Sequence, residues 1–351
     1  MRIIASANNP GGANAILPLV KKFIAARHEV LCILEDKARE IFQSAGLAFV
    51  DANLVDFAEI NKLVSAQKFD LFLAGTSLGL TIDKKILAIC QANKTLSIYV
   101  LDFWSNYWQR FSRQQKDFAY LPDYILIMDD LAQKEMLAEG FPPTKLRLTG
   151  NPFFDDFASG IDLTQTKKNL ILFVSQPMKD QNAVIGPQIP FDEFQALGDL
   201  IELMGSPKLQ THNLELEIRL HPRDEKHKFD GLMENLKFAC GYDQLPDVKL
   251  SLARAGIIVG ISSVVLLQAA LAGKYVISYQ GKNSDPDPLI SNRLGISRLA
   301  KTKAELEVLL AEALNNRQKI IAHPPANVLV KDACAKAYAL ILELIKDYDQ
   351  K

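Results

Sequence analysis

Arg2-Ile3-Ile4-Ala5-Ser6-Ala7-Asn8-Asn9-Pro10-Gly11-Gly12-Ala13-Asn14 begins as an apolar run and breaks into a polar turn that carries two glycines. Arg2–Ser6 reads as a strand. Ala15–Arg27 then reads as a helix, with Leu17, Val20 and Ile24 roughly a turn apart. Strand, glycine turn and amphipathic helix, in that order, start a βαβ unit and with it a parallel sheet. The alternation continues: strands are expected at Glu29–Leu34, Leu47–Val50, Asp70–Ala74, Ser97–Leu101 and Tyr124–Met128. Helices are expected between them at Lys37–Ala45, Ile60–Ala66, Ile82–Asn93 and Leu131–Glu139, the last ended by Gly140.

A turn-rich join, Thr149-Gly150-Asn151-Pro152 and then Ser159-Gly160, interrupts the pattern, which afterwards restarts. Strands are expected at Leu170–Ser175, Leu214–Leu220, Ile257–Gly260 and Tyr275–Tyr279. Helices are expected at Asp192–Met204, Ser263–Ala272, Lys303–Leu314 and Val330–Tyr348. The fold class is therefore α/β: two Rossmann-like, doubly wound parallel-sheet domains of similar size.

Composition agrees with this division. The chain has 351 residues, 48% hydrophobic and 23% charged, enough for about two domains at ~150 residues each. Its formal charge is −1, and neither half is one-sided: 17 basic and 18 acidic residues stand before position 159, 23 and 23 after it. A balanced surface argues against nucleic acid as a partner. Cys32, Cys90, Cys240 and Cys334 are far apart, with no zinc or redox spacing, and fit free thiols in a reducing cytoplasm. The opening apolar run is too short for a signal peptide. Ala255 to Gly273 carries no charge, but Gly260-Ile261-Ser262-Ser263 in its middle makes it a strand, a turn and a buried helix rather than a membrane span.

Four segments could carry chemistry. The Asn8–Asn14 loop, through Asn9, Gly11, Gly12 and Asn14, could bring backbone close to a ligand and offer free helix amides, or could be only a tight turn. It is neither GxGxxG nor a P-loop. Leu220-His221-Pro222-Arg223-Asp224 leaves His221 and Arg223 just past a strand, where an imidazole and a guanidinium suit a phosphate; the alternative is a surface loop with Arg223 paired to Asp224 or Glu225. Gly260-Ile261-Ser262-Ser263 offers amides and hydroxyls at a helix start, or simple capping, and Gln268 follows one turn later. Trp104, Tyr107, Trp108 and Phe111 would share a helical face, better suited to core than to an acceptor wall. The adjacent Arg110, Arg113 and Lys116 leave room for weak membrane-surface association. Asp102, just past a strand, is the best-placed general base, with capping beside Phe103 as its other role. No histidine pair or other spacing suggests a metal.

Together the Gly-Gly loop, Thr149-Gly150-Asn151, His221-Pro222 and the Ser-Ser helix start followed by Gln268-Ala269-Ala270-Leu271-Ala272-Gly273-Lys274 resemble the GT-B glycosyltransferases and the UDP-N-acetylglucosamine 2-epimerases of the same superfamily. The resemblance covers nearly the whole chain. It implies an N-terminal acceptor-side domain over 1–158, a C-terminal donor-side domain over 159–328, and a helix over 329–351 that crosses back to the first domain. It implies a nucleotide-sugar donor, a saccharide or glycolipid acceptor, a cleft between the domains, no bound metal and no cofactor beyond the substrate. His221, Arg223, Gly260, Ser262, Ser263 and Gln268 would face the donor, with Ser175 and Lys179 of the first C-terminal loop. Asn9, Gly11, Gly12 and Asn14 would face the acceptor, and Asp102 would be the catalytic base. Two departures stand out. Gln268 replaces the ribose-binding Glu of many GT-B members. Val174-Ser175-Gln176-Pro177-Met178-Lys179-Asp180 lacks the His and Glu of the epimerase loop, which favours transfer over epimerisation or a site that has lost chemistry.

Overall fold

A computed structural model describes residues 1–159, 161–178, 191–281, 287–315 and 330–348. The chain divides into two units, Met1–Asp156 with Leu329–Lys351, and Phe157–Val328.

The first unit holds a seven-stranded sheet, every neighbouring pair parallel, in the order β3-β2-β1-β4-β5-β6-β7. Its strands are β1 Arg2–Ala7, β2 Glu29–Leu34, β3 Val50–Asp51, β4 Leu71–Gly75, β5 Leu96–Val100, β6 Tyr124–Ile127 and β7 Leu146–Leu148. Its helices are α1 Pro10–Ala25, α2 Ala38–Ser44, α3 Phe57–Ser65, α4 Ile82–Ala92, α5 Tyr107–Arg110 and α6 Asp130–Ala138, and α7 Pro152–Ser159 begins in it and runs past Asp156, where its first stretch of chain ends. All of β4 and β5 is buried, as expected of central parallel strands covered on both faces.

The second unit holds a six-stranded parallel sheet, β10-β9-β8-β11-β12-β13. Here the strands are β8 Lys167–Val174, β9 Glu215–Arg219, β10 Ala239–Tyr242, β11 Ala255–Gly260, β12 Tyr275–Tyr279 and β13 Arg298–Ala300. The helices are α8 Glu193–Met204, α9 Asp230–Met233, α10 Val248–Arg254, α11 Val264–Leu271, α12 Ile290–Arg293 and α13 Lys303–Asn315. The last helix, α14 Ala333–Tyr348, belongs to the first unit. Its Ala337 and Ile341 share a core with Leu19 and Phe23 of α1, and Tyr338 lies 4.9 Å from Phe23, ring centre to ring centre. Asp155 accepts hydrogen bonds from the Ala333 and Cys334 amides at 3.0 and 2.7 Å, neutralising the start of that helix.

The central strands match their sequence expectation closely; the edges do not. β3 is two residues long where four were expected, and β7, β10 and β13 had no strand expectation. All four are edge strands. An edge strand is short and partly exposed, so it carries no continuous apolar run. The first helix also begins five residues early. Pro10 takes its first turn, where a missing N–H costs nothing, so Gly11 and Gly12 lie inside the helix rather than in a loop before it. The uncharged stretch from Ala255 to Gly273 is β11, a turn and α11, and among the described residues no helix is long and apolar enough to cross a membrane.

In each sheet the strand order reverses once, between β1 and β4 and between β8 and β11. Such switch points open a crevice at the carboxyl ends of the strands, where open α/β sheets take ligands.

Candidate functional site

In the second unit the switch point is flanked by the segments after β8, β9 and β11. His221 precedes Pro222, which restricts it to extended backbone and sets the first central position of a tight turn. The turn closes with the Asp224 amide donating to the His221 carbonyl at 2.8 Å. Asp224 folds back beneath it: its Oδ2 accepts from the His221 amide at 2.9 Å and from the Ser175 hydroxyl at 2.6 Å. Its Oδ1 accepts from Lys228 at 2.7 Å, and Lys228 also donates to Glu193 at 2.6 Å. Burial opposes ionisation of Asp224, but hydrogen bonds from Lys228, Ser175 and the His221 amide hold its carboxyl below the usual range. Asp224 therefore pairs with Lys228, not with Arg223 as the sequence alternative had it. Arg223 is exposed; its amide donates to His221 Nδ1 at 3.2 Å. Burial of the ring, reinforced by Arg223, lowers the His221 pKa.

Beside this turn, Gly260 ends β11 against β8: a Cβ there would stand 2.9 Å from the Val174 carbonyl oxygen. Ser262 is already engaged, its amide and hydroxyl both donating to Gln176 Oε1 at 3.1 and 3.2 Å. Ser263 caps α11 by accepting from the Val265 amide at 3.3 Å. Gln268 is half-buried one turn further along. Thus His221 and Arg223 share one turn, to which Ser175 is hydrogen-bonded through Asp224, while Gly260, Ser262 and Ser263 stand at the switch point. Lys179 lies outside the described residues. Sequence reasoning passed over Gln176, Glu193 and Lys228. Gln176 and Asp224 stood inside quoted segments; Lys228, four residues after Asp224, was the available signal for an ion pair.

In the first unit the Asn8–Asn14 segment and the end of β4 meet backbone to backbone. A Cβ on Gly75 would lie 2.3 Å from the Gly12 carbonyl oxygen, and one on Gly12 would lie 2.8 Å from that of Thr76. Gly11 faces Asp102: a Cβ there would come within 2.1 Å of Asp102 Oδ2. Only glycine lets the helix start sit so near the carboxylate. Asn9 occupies the cap position of α1 without a side-chain cap bond, and Asn14 is half-buried on the second turn. Asn8, not counted among the candidates, is the better-held residue, donating to Glu35 at 2.9 Å and Asp36 at 3.1 Å.

Asp102 is neither a lone base nor a helix cap. Arg110 donates to its Oδ1 at 2.7 Å, Thr76 donates to the same oxygen, and the two side chains of the ion pair are 11% and 8% exposed. Arg110 also donates to the Ser105 carbonyl at 3.0 Å and to Thr76 Oγ1 at 3.2 Å. Both bonds fall on Oδ1, and Oδ2 is the oxygen on the Gly11 side.

The aromatic segment is core. Trp104, Tyr107 and Phe111 are buried, and α5 spans only Tyr107–Arg110, so the four rings do not share one helical face. Trp104 Nε1 donates to Asp129 at 2.7 Å and Tyr107 donates to Glu135 at 2.7 Å. Burial raises the Asp129 pKa despite the bonds from Ala132 and Trp104. Arg110 and three of the rings are internal, whereas Arg113 and Lys116 are exposed. The thiols of Cys32 and Cys90 are buried, which pushes both up to about 12. Among the described residues no group of His, Cys, Asp and Glu is arranged to hold a metal ion.

No protein-family profile matches the chain, and no curated protein sequence does. Solved structures do match. The UDP-GlcNAc 2-epimerase from Methanocaldococcus jannaschii superposes with a TM-score of 0.69 at 14% identity, over 98% of this chain and 100% of that one. The UDP-GlcNAc 2-epimerase from Neisseria meningitidis, solved bound to UDP-GlcNAc, gives 0.68 at 12% identity, again over 98% and 100%. The glycotransferase of kitacinnamycin gives 0.58 at 13% identity, over 98% and 99%. At such identities the likeness is one of fold, and the chain has the GT-B fold shared by nucleotide-sugar 2-epimerases and glycosyltransferases.

Proposed function

We propose that the chain acts on a nucleotide-sugar, and that it is a glycosyltransferase moving the sugar to a saccharide, glycolipid or small-molecule acceptor. The observation that carries this reading is the hydrogen-bonded turn at His221, which stands with the Ser262-Ser263 helix start at the carboxyl ends of β9 and β11. The His221 ring and the Ser263 hydroxyl stand there, and Arg223 adds an exposed cation, where a diphosphate would need them. The matching epimerase solved with UDP-GlcNAc supports a uridine nucleotide as the first ligand to test.

In this reading His221, Ser263 and the first amides of α11 offset charge on the leaving diphosphate, and Gln268 bonds a donor hydroxyl. Ser262 exchanges its bonds to Gln176 for bonds to the donor, and Ser175 acts from behind through Asp224. Asp102 takes the acceptor proton on Oδ2, with Arg110 holding the carboxylate in place. Asn9, Gly11, Gly12 and Asn14 line the acceptor approach by backbone more than by side chain.

The second reading is 2-epimerisation or hydrolysis of the nucleotide-sugar, favoured by the epimerases among the matching structures. Ser175, Gln176 and the rest of the described first loop carry no His or Glu, which favours transfer. Incubating the protein with UDP-N-acetylglucosamine and no acceptor separates them. Transfer predicts an inert donor until an acceptor is added; acceptor-free conversion to a 2-epimer or free sugar would replace transfer with epimerisation.

A further inference from the structure

The second unit buries three charged side chains, of which the reading above uses only Asp224. Lys228 lies 12% exposed, and Glu193 and Asp224 are each 1% exposed. The ammonium sits 5.5 Å from the Phe194 ring centre and 5.3 Å from that of Phe229. Both carboxylates draw on it, and together they raise its pKa against the opposing effect of burial. An ion pair this buried is a costly way to hold a fold. Its position says what it holds: Asp224 spends Oδ1 on Lys228 and Oδ2 on the Ser175 hydroxyl and the His221 amide.

The His221 ring is oriented from the same turn. The Arg223 amide points at Nδ1, and a backbone N–H can only donate, so Nδ1 accepts and the ring proton sits on Nε2. The charged groups around the ring are Arg223, Asp224 and Lys228, with Glu193 behind Lys228. Of these Asp224 favours the imidazolium; Arg223 and Lys228 oppose it, as does burial.

We propose that Lys228 is a positioning residue: through Asp224 it fixes the turn that presents His221 as a neutral Nε2–H donor, so the site takes an oxyanion by a directed hydrogen bond and not by imidazolium charge. The oxyanion class, a nucleoside diphosphate, rests on the function proposed above; the tautomer and its dependence on Lys228 do not.

The test uses the full chain labelled with 15N at histidine. Two-bond proton–nitrogen spectra near neutral pH read the protonation of each ring nitrogen directly. The expected wild-type His221 has an unprotonated Nδ1 and a protonated Nε2. Lys228→Met is expected to give a tautomer mixture, and to weaken binding of UDP, the probe used, about tenfold. Lys228→Arg restores the single tautomer. If Lys228→Met does not fold, Asp224→Asn replaces it, with the same expected mixture. A wild-type His221 protonated on Nδ1 overturns the proposal. So does a folded Lys228→Met or Asp224→Asn variant that keeps the wild-type tautomer. Failure of UDP to bind, with the tautomer as expected and lost in the variants, removes the nucleotide reading and leaves the positioning role intact.

Discussion

Replacing Gly75 by alanine is expected to destabilise the first unit sharply, and the reason is geometric. The added Cβ would meet the carbonyl oxygen, carbonyl carbon and Cα of Gly12 at 2.3, 2.4 and 2.5 Å. Ordinary contact begins near 3.4 Å, so the first turn of α1 must retreat from β4 by about 1.1 Å. All three obstructing atoms are backbone, so no rotamer change relieves them. The retreat is resisted by Ala13, Ile16, Leu19 and Val20, which α1 buries in the core. Overpacking of this kind costs typically 1–3 kcal/mol, and backbone on backbone belongs at the upper end, about 3 kcal/mol. For a unit of this size that lowers the melting temperature by roughly 6–12 °C. Thermal and urea unfolding followed by circular dichroism measure both quantities. Gly12→Ala strains the same contact, so the double variant should lose less than the sum of the two. A Gly75→Ala protein that melts within about 1 °C of wild type would refute the seating of α1 on β4.

Gly198 gives the opposite sign: it lies inside α8 with nothing within 4 Å of an added Cβ, so Gly198→Ala should stabilise by roughly 0.5–1 kcal/mol in urea unfolding. A loss would mean that α8 is not a regular helix there. Arg110→Met leaves Asp102 buried without its cation and should cost about 3–5 kcal/mol, whereas Arg110→Met with Asp102→Asn should recover much of it. Strictly additive losses would contradict the pairing. Lys274 is 3% exposed, donates to Thr166 Oγ1 and the Ala253 carbonyl at 2.7 Å each, and has its pKa lowered by burial to about 8. Between that value and the ordinary 10.5 the unfolded chain binds the extra proton, so Lys274 makes stability rise with pH across that window. The wild-type stability minus that of Lys274→Met should climb by about 3 kcal/mol over it, and a flat difference would show that the ammonium is solvated.

Much of the fold was legible because parallel sheets bury their central strands on both faces. Leu71–Gly75 and Leu96–Val100 announce themselves as apolar runs, and the polar break after β1 marks where the first helix follows, although its two glycines belong to that helix. Leu146–Leu148 and Arg298–Ala300 were silent, since three edge residues running from buried to exposed leave no pattern. The candidate residues were found by type and place, yet their partners were not. Asp102 looked like a base because a carboxylate follows a strand; that Arg110 turns back onto it depends on how 103–111 packs over α6, which no local spacing encodes. His221 looked like half of a cationic pair with Arg223. Its neutral form depends on a turn closed by Asp224 and held by Lys228, and only the folded chain brings Glu193 to that lysine.

The central claim is that the second unit binds a nucleotide-sugar at the His221 turn. Isothermal calorimetry of the full chain with UDP-N-acetylglucosamine, alongside CDP- and CMP-sugars, tests it directly. Saturable binding of at least one donor is predicted, weakened about tenfold or more in His221→Ala. No heat from any of the three in folded protein, or an unchanged affinity in His221→Ala, would contradict it.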